Sequence, residues 1–315
     1  MRTRPLTDLA ARELRPLLDE EAGHWSRELL WDFEDVTSAV LGGIERRSLA
    51  GRVIHDGARP VAYGYYMMDS ARAVVGSLFA SAGARGRGLE EGLLDSMLGE
   101  AQGLAGSERV ECQTLFSTAS GADFRFARAG FTGRRRHYLV RDLGEPLPSG
   151  PSAFRLRPFR REDVAAAAAI IHRSHVRSLD AALNLTYSSP ATCRAFVETL
   201  VLRSGCGRFD SSASLVADGG SGCLGVILAS RLSRANGHVC QVSVVPEAQG
   251  RGLGTQLVLS ALGAMADSGL HSASLSVTVE NHRAYDLYVR LGFRLKKEFA
   301  AHAWVRPPAR IEIPA

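Results

Sequence analysis

An apolar strand that runs into a glycine-rich turn and then directly into an amphipathic helix leaves few folds open, and this chain carries the unit twice. In the second half, Val242-Ser243-Val244-Val245-Pro246-Glu247-Ala248-Gln249-Gly250-Arg251-Gly252-Leu253-Gly254 is followed by Leu257, Val258, Ala261, Leu262 and Met265 at helical spacing. In the first half, Arg85-Gly86-Arg87-Gly88-Leu89-Glu90 matches Gln249 to Gly254 and leads into Leu93, Leu94, Met97, Leu98 and Ala101. A second pair follows the turns, Phe126-Ala127-Arg128-Ala129-Gly130-Phe131 and Tyr288-Val289-Arg290-Leu291-Gly292-Phe293, at spacings that differ by two residues. The chain reads as a tandem duplication.

Strands are predicted at Ala73–Ala80 and Val239–Val245 before the turns, and at Arg109–Leu115 and Ala273–Val279 beyond the helices, so each copy is α/β. A length of 315 residues suits two domains. The prolines and glycines of Leu143 to Ser152 read as a linker, which gives domains at 1–142 and 153–315 with 143–152 between them. Phe154 to Pro158 opens the second copy as a strand, and Asp163 is expected to cap a helix over Val164–His172.

A glycine-rich turn at a helix start suits a phosphate, because the first N–H groups of the helix have no partners and the dipole there is positive. A Walker-type loop is excluded, since Leu253 and Gly254 stand where lysine and serine or threonine belong. A dinucleotide fingerprint would need glycine at Leu257 and an acidic strand end near Leu275 to Val279, and neither is present. The remaining pattern, Q-x-x-G-x-G at Gln249, Gly252 and Gly254, resembles the acetyl-coenzyme A loop of the GCN5-related N-acetyltransferase (GNAT) superfamily. Asn281-His282-Arg283-Ala284-Tyr285-Asp286-Leu287-Tyr288, ending in Gly292-Phe293, resembles that family's N-x-x-A-x-x-x-Y-x-x-x-G-F motif.

The resemblance implies two tandem GNAT-like domains, each a mixed, mostly antiparallel twisted sheet flanked by helices. It implies acetyl-coenzyme A as cosubstrate and direct transfer of acetyl to a primary amine by the second domain. Main-chain groups of Val242, Ser243 and Val244 would hold the pantetheine arm and polarise the acetyl carbonyl. Gln249, Gly250, Arg251, Gly252, Leu253, Gly254, Thr255 and Gln256 would take the pyrophosphate. Asn281 would bind the arm at the next helix start, and Tyr288 would protonate the leaving thiolate. His238, at the strand's beginning, is the candidate base, against a water chain or a partly exposed strand-end histidine with no role. The loop His172–Pro190, with His175, Asp180, Asn184 and Tyr187, would wall the acceptor, which could be a small amine, an amino sugar or amino acid derivative, an aminoglycoside or a protein amino group.

The first copy lacks the matching residues: Glu90 stands for the last glycine of the turn, Phe126 for Tyr288 and Ala119 for Asn281. It is expected to be structural or to shape the acceptor site. The net charge of +5 is small for this length and the arginines are scattered, which excludes a nucleic-acid binder. Arg134-Arg135-Arg136 is expected to be a solvated edge. Cys112, Cys193, Cys206, Cys223 and Cys240 show no C-x-x-C spacing, so neither a disulfide framework nor a metal site is expected. With neither a signal peptide nor an apolar run of membrane-spanning length in view, a cytoplasmic protein is expected; a homodimer is left open. The competing reading is a non-catalytic acyl-coenzyme A sensor or scaffold, which would have no need of Tyr288.

Overall fold

The computed structural model describes residues 1–308 apart from Ser70, Ser120, Pro151, Ser204, Gly205 and Ser221. Pro151 of the predicted linker and residues 309–315 of the expected second domain therefore lie outside the described residues. The chain divides into two compact units. One comprises Met1–Gly23, Val36–Arg134 and the segment from Ala300; the other comprises His24–Asp35 and Arg135–Phe299.

In the first unit, β1 (Arg2–Pro5), the start of α1 (Ala11–Leu29) and most of α2 (Glu34–Glu45) precede β2 (Ala50–Asp56), β3 (Arg59–Asp69) and β4 (Arg72–Ala80). Next come α3 (Leu89–Gly103), β5 (Arg109–Gln113) and α4 (Ala122–Arg128). Strands β1 to β4 pair antiparallel in chain order, and β5 joins β4 in parallel. The stripe Leu93, Leu94, Met97, Leu98 and Ala101 of α3 is buried with Ala62, Val75, Leu78 and Phe126.

The second unit is built from β6 (Thr132–Asp142), β7 (Arg155–Pro158), α5 (Val164–His175), α6 (Pro190–Arg203), β8 (Arg208–Phe209), β9 (Leu215–Asp218), β10 (Cys223–Arg231) and β11 (Asn236–Val244). It continues through α7 (Leu253–Asp267), β12 (Ser272–Thr278), α8 (His282–Arg290) and the beginning of β13 (Arg294–Val305). Its sheet runs β6-β12-β11-β10-β9-β7, with β8 on β10, and the β11–β12 pair is the parallel one in that order. Leu257, Val258, Ala261, Leu262 and Met265 of α7 are fully buried. Each of the leucines, the valine and the methionine contributes about 1.5–3 kcal/mol of hydrophobic stabilisation.

The compact units do not follow the two sequence halves. Strand β6, from the first half, pairs along its length with β12 in the second unit, from Asp142 opposite Ser272 to Arg136 opposite Thr278. The end of β13, from the second half, completes the first unit's sheet against β5, from Ala301 opposite Gln113 to Val305 opposite Arg109. A linker boundary read from composition carries no information about such pairing. Asp163 also departs from expectation. Its carboxylate caps the single turn before α5, accepting from Arg160 N–H at 2.8 Å, and binds the Arg157 guanidinium through both oxygens at 2.7 Å.

The placement of β6 is fixed by Tyr138, which is fully buried and donates its hydroxyl to Leu29 O at 2.8 Å. Tyr138→Phe is expected to leave that carbonyl short of a donor and to lower stability by about 1–3 kcal/mol, read from the midpoint of denaturant unfolding.

Candidate active site

Pairing between β10 and β11 runs in register from Gly225–Val244 to Leu228–Gln241, then resumes at Ala229–Val239, so Cys240 is an extra residue on β11. An inserted residue of this kind bends its strand and increases the twist. On the other side, β11 pairs with β12 only from Asn236–Ser272 to Val239–Leu275, although β11 runs on to Val244 and β12 to Thr278. The strands part after Val239, and main-chain groups of β11 face a gap where a neighbour would be.

Val245 N–H donates to Leu224 O at 2.9 Å, on the β10 side. Because N–H direction alternates along a strand, Ser243 N–H also faces β10, and Val242 and Val244 N–H face the gap. Two of the three expected main-chain binders are thus presented. Ser243 instead offers its buried hydroxyl, which accepts from Gln241 Nε2 at 3.0 Å.

The glycine turn lies at the end of this strand. Gly250 (φ 76°) and Gly252 (φ 84°) occupy left-handed conformations that suit glycine. The first bond of α7 is from Gln256 N–H to Gly252 O, so the N–H groups of Leu253, Gly254 and Thr255 point out of the helix start. A Cβ at Gly250 would meet nothing within 4 Å, and one at Gly254 only Val244 Cγ2 at 4.0 Å. That open space beside unpartnered donors fits a pyrophosphate. Gln249 ties the turn to the strand, donating from Nε2 to Val244 O at 3.0 Å and accepting from Arg283 Nη1 at 3.4 Å. Arg251 is exposed, its guanidinium 5.3 Å from the Phe154 ring.

Gln256 departs from the expected set. It is buried and makes a two-way amide pair with Phe154, donating to its carbonyl at 2.7 Å and accepting from its N–H at 3.1 Å. Its side chain holds the start of the second half against α7 and is not presented to a phosphate. His238 departs as well. It lies on the paired side of the parting, buried, stacked on Tyr138 at 6.1 Å and against Trp31 at 6.2 Å, with Nδ1 3.0 Å from Ser274 Oγ. Burial and the Arg136 charge push its pKa down to about 4, so it is neutral, but a base must also reach the amine, and this ring is shut in.

Asn281 caps α8, with Oδ1 accepting from Ala284 N–H at 3.3 Å, which leaves its amide NH₂ for a ligand. Tyr288, on α8, packs edge-on to Phe293 at 5.9 Å. Its hydroxyl has no protein hydrogen-bond partner among the described residues, and burial pushes the phenol up to about 12. At neutral pH it carries its proton.

The loop after α5 closes over the same face of the sheet. Tyr187 donates to Gln241 Oε1 at 3.1 Å and stacks on His175 at 4.7 Å, while Gln241 Nε2 lies 3.2 Å from His175 Nε2. Burial lowers the His175 pKa, and its Nδ1–H donates to Ile171 O at 3.2 Å. Thr278 Oγ1 donates to Asp180 Oδ1, and Asn184 caps a turn by accepting from Thr186 N–H at 2.9 Å. Arg136 was missed by sequence reasoning. Arg134 and Arg135 are exposed as expected, but Arg136 is half-buried opposite Thr278, and its charge acts on both Tyr187 and His238. The alternation along β6 was the available signal.

The corresponding place in the first unit is built differently. Strands β4 and β5 pair from Arg72–Arg109 to Val75–Cys112 and part, but Leu78 then bridges to Ser117. Thr118 N–H donates to Leu78 O at 3.1 Å, Ala80 N–H donates to Thr118 Oγ1 at 3.1 Å, and Thr118 Oγ1 donates to Glu90 Oε1 at 2.9 Å. The buried Glu90 carboxylate occupies the start of α3, where a phosphate would otherwise sit.

Comparison with known proteins bears on the family. The profile of the acetyltransferase (GNAT) family matches residues 183–293. The mycothiol acetyltransferase of a Nocardioides species is 30% identical over 236 residues, covering 69% of this chain and 75% of that protein. The chain belongs to the GNAT acetyltransferase family. The mycothiol acetyltransferase of Actinosynnema mirum is 29% identical over 232 residues, covering 71% and 73% of the two chains. Among solved structures, a GCN5-related N-acetyltransferase from Sphaerobacter thermophilus aligns with a TM-score of 0.66 at 20% identity over 97% and 96%. A tandem GNAT protein from the clavulanic acid biosynthesis pathway aligns at 0.58 and 16% identity over 98% and 99%. This GNAT chain is an N-acetyltransferase in tandem layout with acetyl-coenzyme A as cosubstrate. No helix among its described residues is long and apolar enough to cross a membrane.

Burial raises the Glu90 pKa above the ordinary carboxylate value, so the folded state binds its proton more tightly than the unfolded state. Glu90 therefore contributes stability at low pH that is lost as pH rises through the carboxylate range. Wild-type protein is expected to lose stability relative to Glu90→Gln as pH rises from the ordinary carboxylate range, measured by paired denaturant titrations; parallel curves would show that the charge is not buried.

Proposed function

We propose that the second unit transfers acetyl from acetyl-coenzyme A to a primary amine and that the first unit is non-catalytic. The observation that carries this reading is the parting of β11 from β12 after Val239, with Val242 and Val244 N–H turned into the gap beside an open helix start. Two N–H groups facing the gap stabilise a carbonyl oxygen as charge develops on it, since they need no reorganisation. The α7 start and the turn from Gln249 to Gly254 hold the diphosphate. Tyr288, protonated at neutral pH, supplies the proton that the departing thiolate requires. Asp180, Tyr187, Arg136 and the Gln241–His175 pair form the acceptor wall, where the carboxylate and the neutral polar groups suit an amine and the Arg136 cation suits a polar or anionic neighbour of it. The stapled gap and Glu90 of the first unit support its exclusion from acetyl-coenzyme A binding.

The relatives named as mycothiol acetyltransferases make their acceptor amine the first to assay, followed by amino sugars and amino acid derivatives. Tyr288→Phe is expected to lower kcat by about a hundredfold while the acetyl-coenzyme A Kd stays within twofold. Unchanged turnover would remove Tyr288 from the reaction. Gly254→Glu, which copies Glu90 onto the second turn, is expected to weaken acetyl-coenzyme A binding at least about tenfold by calorimetry, because it sets a carboxylate against the diphosphate.

A further inference from the structure

Three groups outside the transfer chemistry converge where β11 bulges. Ligand atoms of Cys206, His238 and Cys240 all lie within 4.8 Å of one another. Cys240 is the inserted residue itself, and Cys206 comes from the segment between α6 and β8. The two thiols hydrogen-bond to each other, and Ser230 Oγ lies 3.2 Å from Cys240 Sγ. Both cysteines are half-buried as residues.

The imidazole is held by a hydrogen bond at one ring nitrogen. Ser274 Oγ donates its single proton to Gly237 O at 3.1 Å and accepts from Asn236 Nδ2 at 3.1 Å, so its contact with His238 Nδ1 at 3.0 Å takes the ring's N–H. The lone pair then lies on Nε2. A second hydrogen bond that fixes the tautomer of a histidine in this way is the usual support of a metal ligand. The Tyr138 and Trp31 rings hold the imidazole plane.

We propose that Cys206, His238 and Cys240 bind a Zn²⁺ ion, with Ser230 Oγ or a water in the fourth position. Two thiolates balance the charge of the ion, which a half-buried site requires, and two sulfurs with one imidazole are a donor set that Zn²⁺ prefers. Bonds of about 2.0–2.3 Å set tetrahedral ligand atoms under 4 Å apart, so closure from the present spacing needs movements of about an ångström. Both thiol protons leave to solvent on binding. The ion would join the α6–β8 segment to the bulge that parts β11 from β12, and is therefore structural. The cysteines are far apart in sequence, which is why their spacing shows no metal signature.

The test uses the full chain, stripped of metal and fully reduced. Titration with Zn²⁺ is expected to give one ion per chain by elemental analysis, and Co²⁺ to give a thiolate charge-transfer band with tetrahedral d–d absorption. Zn²⁺ is expected to slow alkylation of Cys206 and Cys240 in the wild type by at least about tenfold, mapped by peptide mass, with Cys223 unaffected. The Co²⁺ band should be lost in Cys206→Ser and Cys240→Ser and kept in Cys112→Ser, whose thiol lies in the other unit. The alkylation pattern needs no variant to fold. The proposal is overturned if the reduced protein takes up neither metal, if the band survives loss of both thiols, or if air oxidation joins Cys206 to Cys240 while Zn²⁺ leaves their reactivity unchanged.

Discussion

The second unit depends on one extra residue in one strand. With Cys240 inserted, β11 keeps its pairing with β10 on both sides of the bulge but loses β12 beyond Val239. A sheet normally satisfies every main-chain donor with a neighbour, and a buried unpaired N–H costs free energy comparable to a lost hydrogen bond. Here half-buried Val242 and Val244 have no strand neighbour for their N–H groups, beside a turn whose glycines keep side chains away from the approach. On the proposed function, acetyl-coenzyme A would satisfy these groups. Gln249 and Arg283 then join strand, turn and α8, the helix that carries Tyr288.

The first unit shows what happens when such a gap is closed from within. The same strand–turn–helix unit and the same parting of two parallel strands are present, but Leu78, Ser117 and Thr118 re-satisfy the strand end and Glu90 fills the helix start. A carboxylate near a helix N-terminus gains from the dipole, which offsets part of its burial. The fold is retained, and its anion site is internal.

How much was legible in the sequence follows from the range of each interaction. The strand before the glycine turn, the turn and α7 came out close to their expected bounds, because periodicity and glycine conformation are local. Asn281 was legible as a cap for the same reason. The misreadings share a different cause. Gln256 looks like a continuation of the turn until Phe154, 102 residues away, claims both ends of its amide. His238 looks accessible at a strand end until β6 and the residues after α1 cover it. Arg136 reads as part of a solvated arginine run until β6 pairs with β12. Each depends on strand order, and no window of sequence contains that.

The pairing of β13 with β5 has a consequence for how the molecule is made. Thr114 Oγ1 accepts from Ala300 N–H at 2.8 Å across a separation of 186 residues, and β5 has its neighbour on that side only from Ala301 onward. As the chain leaves the ribosome, β5 must therefore wait with a bare edge while the rest of the second half is synthesised. Late, long-range strand pairing is slow, and an exposed edge in the meantime is a template for wrong partners. The sheet of the first unit is thus completed by residues made only after the strands of the second.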